Sequence, residues 1–361
     1  MFVAWRDLKF AKGRFALMGS VVVLITLLVG LLSGLTAGLG RQNTSAVTGL
    51  PADRIAFGAT GPDAELSYSN STVTETQWRI WAEAPGVDYA EPLGIATIRA
   101  THAGQSSVVS AFGVRPGAPL APESGAIDDG SAVLSGTAAA DLGAAPGDTV
   151  DIAGQHLTVA AVSGDDSFGH TPVVWLGLGA WQRTAPPAAD GAAAFATVIA
   201  LATSEADIAD TDRAAGTASV ARDDSLSAIG SYAAENGSLQ LMRGFLFAIS
   251  ALVIGAFFTV WTVQRGGDIA VLKALGASTA GLLLDALGQA VVLLVGGVAI
   301  GTALAAAIGA ALSGGAVPFV LTPATVLVPA TVLVVLGALG AAVSVRRITS
   351  VDPLIALGST R

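Results

Sequence analysis

Few residues in this chain have the type and spacing to do chemistry. It contains no cysteine, which removes thiol nucleophiles, disulfides, Cys-ligated zinc and iron–sulfur clusters together. Lys9, Lys12 and Lys273 are followed by Phe10, Gly13 and Ala274, so none belongs to the G-x-x-x-x-G-K-[ST] loop that cradles nucleotide phosphates. His102, His156 and His170 are scattered and form no H-E-x-x-H. Isolated histidines of this kind read as surface or locally hydrogen-bonded side chains. No G-x-S-x-G elbow presents a serine. Catalysis inside the chain is therefore not expected, and neither is a resident cofactor or structural metal. Close to the second long apolar run lie Tyr232, Glu235, Met242 and Arg243. In a helix Tyr232, Glu235, Leu239 and Met242 share one face at spacings of three, four and three, although Asn236–Gly237 works against a helix there. Each also has a bland reading: Glu235 as a solvated charge, Met242 as a lipid-facing side chain, and Arg243 as a snorkelling interfacial cation.

The elements that must position these groups follow from composition. Hydrophobic residues make up 52% of the 361, and charged residues only 12%, about half the share of a soluble domain. Crossing about 30 Å of hydrocarbon takes about 20 apolar residues in a helix. Residues 16–40, 241–264, 280–313 and 324–345 meet that length. The first run exceeds the h-region of a signal peptide, so it reads as a retained anchor. Gly30, Gly34 and Gly38, and again Gly297 and Gly301, recur at four-residue steps. Such faces let helices approach closely in lipid, though a chain with 44 glycines offers them freely.

Charge divides the chain. Residues 41–243 carry 23 acidic and 9 basic side chains, and the remainder carries 4 and 9. The Lys/Arg rule places residues 1–15, 265–279 and 346–361 in the cytoplasm of a multi-pass plasma-membrane protein, with both termini inside. The acidic 41–240 segment lies outside. Scattered cations with no aromatic-interleaved patch argue against nucleic-acid binding. Residues 1–15, with Phe2, Trp5 and Leu8 near one face, read either as an interfacial helix or as a plain basic flank. Within 41–240, strand-like runs at 106–114, 149–153, 157–162, 173–176 and 195–201 are separated by Gly, Pro and Asp turns, and 134–142 looks helical. The expected fold is four transmembrane α-helices plus a mixed α+β extracellular domain, with a stalk, inserted between helices 1 and 2.

The 265–279 segment is the other notable stretch. Gly266-Gly267 breaks the preceding span. A short helix from Asp268 to Leu275 follows, with Asp268 favourable at its N-terminal end and Gly276 a suitable stop. It reads as a docking helix or as a turn lying at the interface. The run Ile269-Ala270-Val271-Leu272-Lys273-Ala274-Leu275-Gly276-Ala277-Ser278 resembles the I-x-V-L-[KR]-A-[IL]-G-A-[ST] signature of MacB/FtsX-like permeases of ATP-binding-cassette transporters. Val351–Leu357 resembles that family's tail, and the layout agrees along the whole chain.

The resemblance implies a homodimer embedded in the bilayer with two copies of a separate ATPase that carries ATP and magnesium. Asp268, Ile269, Val271, Leu272, Lys273 and Leu275 would then form the coupling surface to that partner, and the chain itself would not be an enzyme. Asp7–Phe15, Leu31–Leu35 and Gly147–Val150 further resemble permeases of haem-regulated efflux transporters. That likeness implies haem as cargo. Glu235 would be an oxygen ligand to its iron or a water-holding group, Met242 a soft ligand or apolar wall, Arg243 a partner for a propionate, and Tyr232 a ligand or stacking group. The same family draws on the ends of spans one and four, here 39–43 and 319–322, and the latter holds no methionine. Two other functions share this architecture: export of an antimicrobial peptide or lipid, and FtsX-like signalling to an extracellular partner.

Overall fold

The computed structural model describes residues 12–58, 65–184, 194–264, 271, 275–276, 278–312 and 317–346. The expected interfacial helix at 1–15 and the tail at 346–361 lie almost wholly outside them. The chain divides into two compact units. One comprises Leu39–Gly237, and the other comprises Met1–Gly38 with Ser238–Arg361.

In chain order the elements are α1 (Lys12–Thr48), β1 (Arg54–Gly58), α2 (Glu75–Ala82), β2 (Val87–His102), β3 (Gln105–Val114), β4 (Ser131–Leu134) and α3 (Gly136–Leu142). They continue with β5 (Thr149–Ile152), β6 (Gln155–Val162), β7 (Ser167–Phe168), β8 (Thr171–Gly177), α4 (Leu178–Thr184), β9 (Val198–Thr203), α5 (Ile208–Ala215) and β10 (Thr217–Ala221). The last three are α6 (Gly230–Gln264), α7 (Thr279–Leu312) and α8 (Pro323–Arg346). Among the described residues four helices, α1, α6, α7 and α8, are long and apolar enough to cross a membrane, and the mixed α/β unit is inserted after the first.

The Leu39–Gly237 unit is built on one sheet in the order β10-β1-β9-β2-β3-β8-β4-β6-β5, with β7 added beside β8. Strand β5 also pairs back onto β2 through Ala100↔Ile152 and Thr101↔Asp151. The six strands from β2 round to β5 thus close on themselves, which removes two exposed edges. Strand β2 is not among the expected strands, because Pro92 and Gly94 look like breakers. In the structure Pro92 is accommodated opposite Ile199. Gly94 is needed because the Trp181 ring occupies the space its Cβ would fill. Both faces of the sheet are covered. In β8, Val174 and Leu176 face one core with Trp81, Leu134 and Leu142. Val173 and Trp175 face the other, with Phe57, Phe112 and Phe168. A strand buried on both faces reads as a continuous apolar run rather than an alternating one.

In the other unit the small residues do two different things. Val22 and Val23–Thr26 of α1 occupy the space that side chains on Gly297 and Gly301 of α7 would take, and a Cβ on Gly30 would meet Ala305 at 2.8 Å. These are close helix crossings, as expected. Gly34 and Gly38 instead receive the segment before α8. The Phe319 ring fills the space beside Gly34 and Gly309, Pro318 lies against Gly38, and the Val320 N–H donates to the Gly34 carbonyl at 3.1 Å.

Candidate functional site

The most chemically loaded cluster of the inserted unit lies where its first and last helical segments meet a tight hairpin. Strands β7 and β8 pair Phe168 with Thr171, which leaves Gly169 and His170 as a two-residue turn. Both have positive φ, +57° and +66°, the requirement of a type I′ hairpin. Histidine is one of the few side chains enriched in this left-handed region. The Gly169 N–H donates to the Asn43 carbonyl at 3.1 Å, and the His170 N–H to that of Gln42 at 3.2 Å. Further along α1, Ser45 Oγ accepts from the Ser167 N–H at 2.8 Å and donates to the Ser167 carbonyl at 3.2 Å. A serine side chain thus takes the place of a neighbouring strand.

The hairpin is rigidly seated. Phe168 packs edge-on against Tyr68 and Phe112 with ring centroids 5.5 and 5.6 Å apart, and Phe112 packs in the same way on Trp175 at 5.1 Å. The Tyr68 hydroxyl meets Ser225 Oγ at 2.8 Å, and burial pushes its phenol well above the usual range. Ser110 and Thr171 bind one another at 2.6 Å, and both hydroxyls reach the Phe168 carbonyl. Nearby, burial raises the Asp166 carboxyl, with Asp165 adding to the shift and Arg41 opposing it.

This seat aims His170 at Glu235. His170 Nε2 lies 2.9 Å from Glu235 Oε1 and 3.0 Å from Oε2. Asn43 Nδ2 lies 3.3 Å from Oε2 and 2.9 Å from His170 Nε2. Asn43 is itself oriented: its Oδ1 accepts from Ser231 Oγ at 2.5 Å, and its Nδ2 donates to the Leu39 carbonyl at 3.3 Å. The carboxylate is the common acceptor of the group, and it stays accessible, with 41% of its side chain exposed against 30% for His170.

The four expected residues all lie on α6, which is continuous through Asn236 and Gly237. Tyr232 and Glu235 belong to the inserted unit, Met242 and Arg243 to the membrane-helix unit. Tyr232 is half-buried and packs against the aromatic core. Met242 is 48% exposed, and Arg243 forms no ion pair among the described residues. His170 and Ser231 are not among the site residues that sequence reasoning singles out, and Asn43 enters there only as the end of the 39–43 stretch. The available signal is Phe168-Gly169-His170 before an apolar strand, a hairpin that places a histidine at its tip. Of the coupling segment, Asp268, Ile269, Leu272 and Lys273 lie outside the described residues. Val271 and Leu275 are exposed, the Leu275 N–H donates to the Val271 carbonyl at 3.0 Å, and Gly276 has φ +93°. Among the described residues no group of three His, Cys, Asp or Glu side chains is disposed to hold a metal ion.

A family model described as the MacB-like periplasmic core domain matches residues 16–218, and one described as the FtsX-like permease C-terminal matches residues 241–353. The chain belongs to the MacB/FtsX family of ABC transporter permeases. It is a multi-pass membrane protein and a transporter subunit rather than an enzyme, of a family that associates with an ABC ATPase. Among its relatives is a Staphylococcus epidermidis protein named putative hemin transport system permease protein HrtB, 25% identical over 361 residues and covered to 99% in both chains. An uncharacterized ABC transporter permease of Mycobacterium bovis is 26% identical over 374 residues, again with 99% of each chain covered. The crystal structure of the periplasmic region of MacB from Actinobacillus actinomycetemcomitans overlaps 49% of this chain and 92% of that one. Its TM-score is 0.35 at 9% identity.

Proposed function

We propose that this permease exports haem, with Glu235 as the oxygen donor to the iron. The observation that carries the reading is an accessible carboxylate held by an imidazole and an amide at the start of a membrane-crossing helix. The full-length relatives named hemin transport permeases support it. Ferric iron is a hard acid, and an anionic oxygen suits it. Two turns along the same helix, Met242 offers a thioether or an apolar wall, and Arg243 a guanidinium for a propionate. Tyr232, one turn before Glu235 on the same helix, serves as a ligand or stacking group.

A homodimer doubles each group about its axis and supplies one carboxylate to each side of the ring. Two ATPase subunits close on ATP and magnesium and push the 265–279 segments, and the spans squeeze haem from the outer leaflet outward. The termini and the 265–279 segment face the cytoplasm. Hemin titration of the purified full-length protein, followed by its Soret band, tests the reading. The triple change Glu235→Ala, Met242→Ala, Arg243→Ala should abolish the shifted band. An unaltered band refutes the site. A deletion strain should become sensitive to haem and not to peptide antibiotics, and the reverse would point to the peptide cargo.

A further inference from the structure

We propose that His170, supported by Asn43 and Ser231, is a positioning residue that holds the Glu235 carboxylate in the orientation that receives the iron. The proposal rests on the haem reading above and adds to it the groups that aim the ligand.

The hydrogen positions carry the argument. Asn43 has two amide hydrogens, and its Nδ2 lies 3.3 Å from the Leu39 carbonyl and from Glu235 Oε2, which can only accept, and 2.9 Å from His170 Nε2. Oδ1 meets the Ser231 hydroxyl at 2.5 Å, and a flipped amide would turn Oδ1 toward the Leu39 carbonyl and the carboxylate, neither of which can donate, so Nδ2 is the atom that faces them. His170 Nε2 faces both carboxylate oxygens, at 2.9 and 3.0 Å, and these can only accept, so a proton on Nε2 satisfies them while Asn43 directs its two hydrogens to Leu39 and Glu235. The carboxylate then accepts from two side chains on different elements, the hairpin and α1. A carboxylate offers about four lone-pair sites, so it keeps capacity for a metal.

Haem leaves only axial positions on its iron, so the imidazole and the carboxylate cannot both bind one iron from the same face. With Nε2–H committed to Glu235, the oxygen is the donor and the imidazole its support. Supports of this kind orient a metal ligand, and their loss typically costs about 10–100-fold in affinity. The backbone points the same way. The turn needs a residue tolerant of φ +66°, which asparagine or glycine would satisfy. Only a side chain as long as histidine spans from that turn to α6.

Two substitutions at the turn separate support from structure. His170→Asn keeps the left-handed backbone but falls short of Glu235. His170→Gln restores an N–H donor near the position of Nε2. Hemin is titrated into each full-length variant, with the Soret and charge-transfer bands and the thermal unfolding midpoint recorded. His170→Asn should weaken hemin binding about 10–100-fold and shift the bands while leaving the unfolding midpoint near that of the parent. His170→Gln should recover most of the affinity and the parent spectrum. Equal loss in both variants, or loss that tracks the unfolding midpoint, would show that the turn alone matters and overturn the proposal. If Glu235→Ala weakens binding while His170→Asn does not, the positioning role fails and the haem reading stands. If Glu235→Ala leaves binding unchanged, the iron-ligand reading itself fails.

Discussion

Phe319 is the wedge that makes Gly34 irreplaceable, and the fit between the two can be measured by changing each alone and both together. A Cβ on Gly34 would overlap the tip of the phenyl ring, meeting Cε2 at 2.6 Å and Cε1 at 2.7 Å, where about 3.4 Å is the onset of ordinary contact. Gly34→Ala must therefore displace the ring or separate the backbones. Overpacking of this kind costs about 1–3 kcal/mol. Phe319→Ala removes the ring. A fully buried phenylalanine costs about 3–5 kcal/mol on truncation. Phe319 is only half-buried, so about 2 kcal/mol is the expected loss. In the double variant the methyl group added by Gly34→Ala occupies space the ring has vacated, and the overpacking cost disappears. The pair should then cost about 2 kcal/mol rather than the sum of about 4, a coupling of about 2 kcal/mol, within the range found for residues in contact. The assay is reversible denaturant unfolding of full-length protein in a single detergent, with all four corners of the cycle measured. Costs that add to within about 0.5 kcal/mol would refute the wedge. Gly309→Ala should reproduce the behaviour of Gly34→Ala, because it abuts the same ring.

Three further outcomes follow from other contacts. Arg115 grips Glu91 through two bonds of 2.7 and 2.8 Å and lies 4.8 Å over the Trp78 ring. Arg115→Ala strands a buried carboxylate and should cost about 3 kcal/mol in thermal unfolding, with partial recovery when Glu91→Gln is added. No recovery would show that the lost stacking on Trp78 dominates. Gly301→Val places a side chain against the Val23 carbonyl, 2.6 Å from its Cβ. It should lower the unfolding midpoint by more than Gly296→Val, which meets nothing within 4 Å. Asp166 has its pKa raised by burial, so the folded chain holds this proton more tightly than the unfolded one. Its stabilising contribution is complete below the ordinary aspartate value of 3.8 and is lost as pH rises through the raised folded value. Asp166→Asn should therefore raise the midpoint at neutral pH and flatten its decline above about pH 4, and an unchanged pH profile would contradict this.

The spans are legible because each is a long apolar run bounded by charge, a signal that depends on local composition alone. Strands β3, β5, β6 and β8 are legible for a related reason: each is a short apolar or alternating run between turn residues. Strand β2 is not, because local rules treat Pro92 and Gly94 as punctuation. Its continuity is set by partners far along the chain, with β9 on one flank and β3 and β5 on the other. The glycine repeat is half legible. Spacing shows that something must approach α1 closely, but only the fold shows that a helix does so at Gly30 and an aromatic wedge at Gly34.

The candidate site divides along the same line. Glu235 can be named because it shares a helix face with Tyr232 and Met242 and because the resemblance to haem-efflux permeases directs attention to the outer end of that helix. His170 cannot, because it is 65 residues from Glu235 and Asn43 is 127 residues from His170. None of the three reports the others locally. What joins them is a chain of constraints, each individually ordinary. Phe168 fills an aromatic gap, two left-handed residues reverse the strand, Ser45 pairs with Ser167, and Ser231 turns the Asn43 amide. Buried or half-buried polar groups must find partners, and here each partner's geometry is dictated by apolar packing close by in the chain. A ligand that depends on such an assembly is sensitive to core substitutions that never touch it. Phe168→Ala should accordingly weaken hemin binding through the loss of His170's seat even where the rest of the domain remains folded, and hemin affinity equal to the parent's in a folded Phe168→Ala variant would show that the seat does not depend on the ring.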